Sequence, residues 1–355
     1  MGNDTNFTAG PPLVTETFRK MNLAYLVIYC LIFILGILGN SLVIYVTGFR
    51  MKRTVNSVWF LNLALADFLF TSFLVFTIIS VSQDFQWPFG RFMCKLNSFV
   101  SVVNMFASIF LLTAISLDRC LSIWVVVWAQ NKRTVCKAKV ICAVIWVTAV
   151  VCSTPYARFR DLVVMQQTFC TYTISPEQKL HLVIFRFVMG FLIPFLVIFV
   201  SYVAISVRAR RLQRTRKKRP RKIIFSIILA FFVCWLPFHV MQFLQIRKNP
   251  DLQIFVRIGG SLTMCLAYLN SCLNPILYVF MCDDFQKKLK QSICLVLEGA
   301  LAEEHMTFMS TRSLSSQLSR ISRKSETSAP SEGKGQATLL NFTDSKVANT
   351  EDRDF

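Results

Sequence analysis

Charge is scarce in this sequence, and acid is scarcer than base. Only 16% of the 355 residues are charged, and 19 acidic side chains stand against 39 Lys and Arg. A soluble globular domain carries about 25% charged and roughly 45–50% apolar residues. Here 54% are hydrophobic and 33 are Phe, which argues against an ordinary soluble protein and for a membrane protein. Histidine is nearly missing, with three in the chain. There is also no metal-ligand spacing and no nucleophile motif, so nothing supports an enzyme. No inverted repeat is found, and no Gly/Pro-broken helices recur in matching halves, which argues against a transporter or channel. A cleavable leader is not evident either. The first apolar run follows roughly twenty polar residues and is too long for a signal h-region, so it reads as a retained signal-anchor. Met1-Gly2 is not a myristoylation start, because Asn6 occupies the position that wants Ser or Thr.

What is present is a set of long apolar runs. A hydrocarbon core about 30 Å thick needs roughly 20 apolar residues in a helix. Seven stretches qualify, over 22–48, 57–81, 94–124, 138–156, 180–207, 222–246 and 255–280. Each is read as a helix, since other backbone would be left unpaired in lipid. The expected fold class is therefore an all-α membrane protein, a seven-transmembrane helix bundle spanning residues 22–281 after an N-tail of 1–21.

The net charge of +20 would suit a nucleic-acid binder, but its placement does not. Basic residues crowd alternate connections: Arg50, Lys52 and Arg53 after the first run, Lys132, Arg133, Lys137 and Lys139 after the third. Ten more lie between Arg208 and Lys222 without a single acid, and Lys287, Lys288 and Lys290 follow the seventh run. The other loops mix signs. By the positive-inside rule the N-terminus is extracellular and the basic connections are cytoplasmic. The sequons at Asn3 and Asn6 fit a glycosylated outer tail, and the one at Asn341 falls inside and should be silent. Of twelve cysteines most lie within apolar runs, as small buried hydrophobes. Only Cys94 and Cys170 fall beside outer loops, where a disulfide can persist.

Beyond the seventh run, Phe285, Leu289 and Ile293 alternate with lysines. Residues 282–297 are thus expected as an amphipathic helix on the inner leaflet, in contact with membrane lipids. Cys294 near its end is a candidate for palmitoylation. Residues 298–355 lack periodicity and read as a disordered Ser/Thr-rich tail. Its phosphorylation candidates are Ser313, Ser315, Ser316, Ser319, Ser322, Ser325, Thr327 and Ser328.

Ionisable groups within the hydrocarbon are costly and usually functional. Asp67 lies mid-way in the second run. It is either a carboxyl neutralised by protonation or hydrogen bonds, or a cation site completed by Asn40, Ser108, Asn270 and Asn274, and spacing does not choose. Asp118-Arg119 closes the third run, where a snorkelling Arg with a local partner is the bland reading. Arg186 sits inside the fifth run, eight residues before Pro194, and should face a polar cavity rather than lipid. His181 and His239 are as readily core or rim histidines as ligand contacts. Pro155, Pro194, Pro237 and Pro275 each remove a backbone donor and can kink their helices.

Taken in order, these residues resemble the rhodopsin-like G-protein-coupled receptor family, with a landmark in every run. They are Gly39-Asn40, Leu63 through Asp67, Cys94 with Asp118-Arg119-Cys120, Trp146, Pro194 with Tyr202, Phe231 with Cys234-Trp235-Leu236-Pro237, and Asn274-Pro275-Ile276-Leu277-Tyr278. The resemblance implies a Cys94–Cys170 disulfide and a sodium ion held by Asp67, Ser108, Asn270 and Asn274 that favours the inactive state. It implies a packing switch of Ile109, Pro194, Phe231 and Trp235. Asp118, Arg119, Tyr202 and Tyr278 would then form the G-protein-coupling end. Cys120 departs from the commonest motif, which has Tyr there.

Trp87-Pro88-Phe89-Gly90, Asn104 through Ser108, Val127 through Thr134, Phe159-Arg160-Asp161 and Arg186-Phe187 narrow the resemblance to the chemoattractant branch, with its formyl-peptide, chemerin and anaphylatoxin receptors. Arg186 matches an arginine that in the formyl-peptide and chemerin receptors helps hold the deepest end of a peptide; a guanidinium there can pair with a carboxylate. Asn104, Phe106, Arg160 and His239 are the further candidate ligand contacts. Formyl-peptide receptors carry an acid where this chain has Val102-Val103, which favours a chemerin-like ligand. The short N-tail, acidic only at Asp4 and Glu16 and without Tyr before Tyr25, departs from chemerin and anaphylatoxin receptors. The implied partners are an extracellular peptide, an inhibitory-type heterotrimeric G protein, receptor kinases and arrestin, all at the plasma membrane. A peptide scavenger without G-protein signalling is the alternative, against which the intact Asp118-Arg119 and Asn274 to Tyr278 motifs count.

Overall fold

The apolar runs fold as helices in the computed structural model, which describes residues 12–211, 219–247, 252–281 and 291. In chain order these are α1 (Pro12–Tyr45) with a closing π-helical turn (Val46–Arg50), α2 (Val55–Ser82), α3 (Gly90–Trp124), a short α4 (Val126–Lys132) and α5 (Val135–Arg158). The fifth run is α6 (Pro176–Phe187), a π-helical turn (Val188–Leu192) and α7 (Ile193–Arg211); α8 (Arg219–Ile246) and α9 (Gln253–Met281) follow. All belong to one compact unit, Met1–Cys294, while the second unit, Leu295–Phe355, lies outside the described residues. So do Asn3, Asn6, Cys294 and every candidate phosphorylation site in the tail.

Local chemistry sets the helix limits. Thr54 and Ser57 form a reciprocal capping box at the start of α2, and Ser175 and Gln178 do the same for α6, with Pro176 in its first turn. α1 begins at Pro12, well before the expected 22, because nothing from Leu13 to Met21 breaks a helix and Glu16 pairs with Lys20 one turn on. Among the described residues six helical stretches are long and apolar enough to cross a bilayer, with the fifth counted from Pro176 to Arg208. α9 is not among the six. It is as long, at 29 residues, but the side chains of Arg257 and of residues 277–281 lie outside the described residues.

The bundle is apolar on its outer surface as well as in most of its core, where a smaller set of polar side chains is buried. On α5, Val140, Val144, Val147 and Val151 are exposed, while Cys142, Ile145, Ala149 and Ser153 face inward. That is the helical period with its apolar stripe turned to lipid. α3 runs through the middle, packed against α2, α5 and α7. Gly190, in the second π-helical turn, allows that approach: a Cβ there would stand 3.1 Å from Met105 Cε.

At one end of the bundle sits a two-stranded antiparallel hairpin, β1 (Arg160–Val164) and β2 (Thr168–Tyr172), with Leu162 opposite Cys170. The loop sequences did not announce it. Cys170 is joined to Cys94 in α3, and the Trp87 amide donates to the Thr168 carbonyl at 2.8 Å. Gly90 follows Trp87-Pro88-Phe89 with a φ of 75°, a left-handed turn that lets α3 start beneath the hairpin. Arg91 and Lys95 of α3 both reach Asp161 in β1. The Arg91 bond, more than any other influence, draws the Asp161 carboxyl below its ordinary range, so the pair stays charged.

Candidate functional site

Beneath the hairpin lies a cavity of about 810 Å³, reached by residues of α1, α2, α3, α5, α6, α8, α9 and both strands. Arg186 on α6 is one of its walls. The side chain is half-buried, its guanidinium 4.3 Å from the centre of the Tyr156 ring and 5.9 Å from that of Phe238. Tyr156 is itself fixed, its hydroxyl donating to the Leu182 carbonyl at 2.7 Å. Ring faces hold a cation without neutralising it. Among the described residues no carboxylate pairs with Arg186, and its Nε is shut off from solvent with no hydrogen-bond partner. A cation so placed is prepared for an anion from outside the chain.

Arg160 also lines the cavity, over the Tyr172 ring at 4.6 Å. The other three candidate ligand contacts lie elsewhere. Phe106 is wholly buried in the core between Phe110, Tyr156 and Phe185. His239 is packed among Phe187, Phe191, Trp235 and Phe238, both ring nitrogens unpaired. Asn104 turns toward Asp67.

Asp67 is fully buried at the centre of a polar cluster. Ser108 Oγ donates to its Oδ1 at 3.2 Å and Asn274 Nδ2 to its Oδ2 at 2.7 Å. With its amide nitrogen turned toward α2, Asn104 donates to Asp67 Oδ1 at 3.2 Å and to the Ala66 carbonyl at 3.0 Å, and its oxygen accepts from Ser271. This orientation satisfies both ends of the amide. Asn40 donates to the Gly36 and Ser271 carbonyls, and Asn270 is buried one helical turn before Asn274. The carboxylate is thus met by amide N–H and hydroxyl donors, and a hard cation there would need the amide and hydroxyl oxygens of these same side chains turned toward it.

The rhodopsin-family model of 7-transmembrane receptors matches residues 39–278. The chain belongs to that family. Chemerin-like receptor 1 of Sus scrofa is 39% identical over 328 residues, covering 86% of this chain and 90% of its own. The C3a anaphylatoxin chemotactic receptor of Danio rerio is 40% identical over 296 residues, covering 82% and 81%. The fMet-Leu-Phe receptor of Macaca mulatta is 37% identical over 320 residues, covering 84% and 92%. The protein is thus a class A G-protein-coupled receptor of the chemoattractant branch, a multi-pass plasma-membrane protein and not an enzyme.

Below the cavity of this receptor, Ile109 and Phe231 are buried in one core cluster, with Trp235 packed against Phe231 at 6.4 Å and Pro194 buried in α7. At the far end of α3, Asp118 is gripped by a residue that spacing did not single out. Arg133 donates from Nε to Oδ1 at 2.8 Å and from a terminal nitrogen to Oδ2 at 2.7 Å, and reaches Asn56 of α2 at 2.6 Å. Fifteen residues separate the pair, so no helical spacing could have found it. Arg119 and Tyr202 are half-buried at the same end of their helices; Tyr278 lies in α9, its side chain outside the described residues. Trp124, Val126 and Val127, at or just past the α3–α4 junction, are exposed hydrophobics. Tyr156, Tyr172 and Ser271 are the other participants that sequence reading missed. A tyrosine in an apolar run carries no signal of which cation it will face.

Proposed function

We propose that this receptor is activated by an extracellular chemoattractant peptide, chemerin-like in kind, whose carboxylate pairs with Arg186. The N-terminus and the hairpin are extracellular and the Asp118 end is cytoplasmic. The receptor activates an inhibitory-type G protein and is then silenced by receptor kinases and arrestin acting on the tail. The observation that carries the reading is Arg186, a cation with no carboxylate partner among the described residues, on the wall of a cavity sized for a ligand. The relatives support it, being receptors named for chemerin, C3a and fMet-Leu-Phe. Ligand binding acts as a population shift, favouring the open arrangement only by the difference in affinity between the two states.

We further propose that a sodium ion is held by Asp67, Ser108, Asn270 and Asn274, with the Asn104 and Asn40 side chains alongside. Its charge would balance the buried carboxylate and so favour the closed state.

The test uses a carboxyl-terminal chemerin peptide as free acid and as amide, with cellular cyclic AMP as readout. The free acid should lower cyclic AMP in a dose-dependent way. Amidation, or Arg186→Ala at unchanged surface expression, should weaken potency at least about tenfold, the loss of one charge-assisted contact. Equal potency of acid and amide, or of wild type and Arg186→Ala, would refute the role of Arg186. Uptake of peptide with no G-protein activation would favour a scavenger instead.

A further inference from the structure

The charge balance of the cavity says more about what fits it, given the peptide-receptor reading above. Its described lining includes three cations, Arg160, Lys179 and Arg186, and no carboxylate. Two acids beside the lining are engaged elsewhere. Asp161 is held by Arg91 and Lys95, and Asp84 accepts from Asn22. The described residues that α9 brings to the cavity are neutral, among them Gly260, Ser261 and Tyr268. The space at Gly260 is closed by a neutral amide, since a Cβ there would meet Gln245 Nε2 at 2.7 Å.

Two of these cations are presented alike. Arg186 lies on Tyr156 and Arg160 on Tyr172, and Tyr172 also neighbours the Arg186 guanidinium. A guanidinium set on a ring has its face covered and its N–H edge left for acceptors, which suits a carboxylate in the ring plane. Among the described residues Arg160 donates from Nε alone, to the Cys170 sulfur at 3.4 Å, a weak acceptor. The two guanidiniums therefore flank one tyrosine; the Tyr172 and Tyr156 hydroxyls take part of the Arg186 edge, and a carboxylate is a stronger acceptor than either. One ligand carboxylate would answer one of them and leave the rest of the positive field uncompensated. A basic ligand side chain would be driven against like charge in a poorly solvated space, where such repulsion is strongest.

We propose that the cavity accepts peptides whose inserted end carries two negative groups, a terminal carboxylate and a neighbouring Asp or Glu side chain, and rejects ends bearing Lys or Arg. The carboxylate takes Arg186 and the acidic side chain takes Arg160, with Lys179 adding to the field.

The experiment is capture of a randomised hexapeptide library, half free acids and half amides, by the full-length receptor in lipid nanodiscs, with bound peptides sequenced by mass spectrometry. Asp and Glu should be enriched over Lys and Arg at the last two positions by at least about tenfold, one charge-assisted contact's worth. Arg160→Gln should lose that enrichment and keep the preference for free acids; Arg160→Lys should retain both. Arg186→Gln should lose the free-acid preference. Enrichment of Lys or Arg, or no preference among side chains, overturns the inference. If the free-acid preference persists in that case and still depends on Arg186, the parent reading stands alone. Capture of no peptide at all overturns both.

Discussion

At the residue scale the informative groups are those whose burial has to be compensated. Asp67 is the clearest, because Ser108, Asn104 and Asn274 all donate to it and each would lose that acceptor without it. Each unpaired buried donor costs about 1–3 kcal/mol. Asp67→Ala should therefore lower thermal stability in detergent far more than Asp67→Asn, which keeps an acceptor in place. Sodium should raise the unfolding temperature of the wild type and not of Asp67→Ala; a wild type indifferent to sodium would end the sodium proposal. Asp118 and Arg133 offer a second case. Their bond is bidentate, and both side chains are largely shielded, 10% and 22% exposed. A double-mutant cycle of Arg133→Gln and Asp118→Asn should give a coupling of about 1–2 kcal/mol, and simple additivity would show that the contact contributes nothing. Asp67 and Arg186 were both legible in the sequence as misfits in apolar runs. Arg133 was legible as positive charge and as part of the Val127 through Thr134 stretch but not as the partner of Asp118, because that pairing is fixed by how the α4–α5 connection packs on α3 and not by any local period.

At the element scale the helices depend on close approaches as much as on apolar length. α1 meets α2 at Gly36, where an added Cβ would fall 2.3 Å from Thr71 Cγ2 and 3.4 Å from Cys272 Sγ. Thr71 cannot easily turn away, since its hydroxyl is tied back to the Asp67 and Phe68 carbonyls. Gly36→Ala should cost about 1–3 kcal/mol through overpacking. Adding Thr71→Ser, which removes the offending methyl, should restore most of the loss in a thermal unfolding assay. A Gly36→Ala variant as stable as the wild type would show that the two helices slide apart freely. Helix existence was readable from apolar runs, whereas the π-helical turn at Val188–Leu192 and the hairpin were not. The first is imposed where Gly190 and Phe191 pack on α3 and α8, and the second by a disulfide and backbone bonds to Trp87.

At the scale of the whole molecule the governing fact is an apolar exterior, with Val140, Val144, Val147 and Val151 exposed, around a mostly apolar core that holds the polar cluster of Asn40, Asp67, Asn104 and Ser108. Such a surface is stable only in lipid. Epitope tags at the two termini should stain on opposite faces of the membrane, the N-terminal tag on intact cells and the C-terminal tag only after permeabilisation. Staining of both on intact cells would sink the proposed topology and with it the extracellular ligand. By itself the sequence determined the bundle, its membrane class and the residues that do not belong in lipid, because hydrophobic length and the cost of buried charge act on each segment separately. Only the tertiary structure decided that Asn104 serves Asp67 and not the cavity, that Arg133 holds Asp118, and that Arg160 and Arg186 flank one tyrosine. Such pairings depend on the phase and crossing of helices distant in sequence, which no single helix encodes.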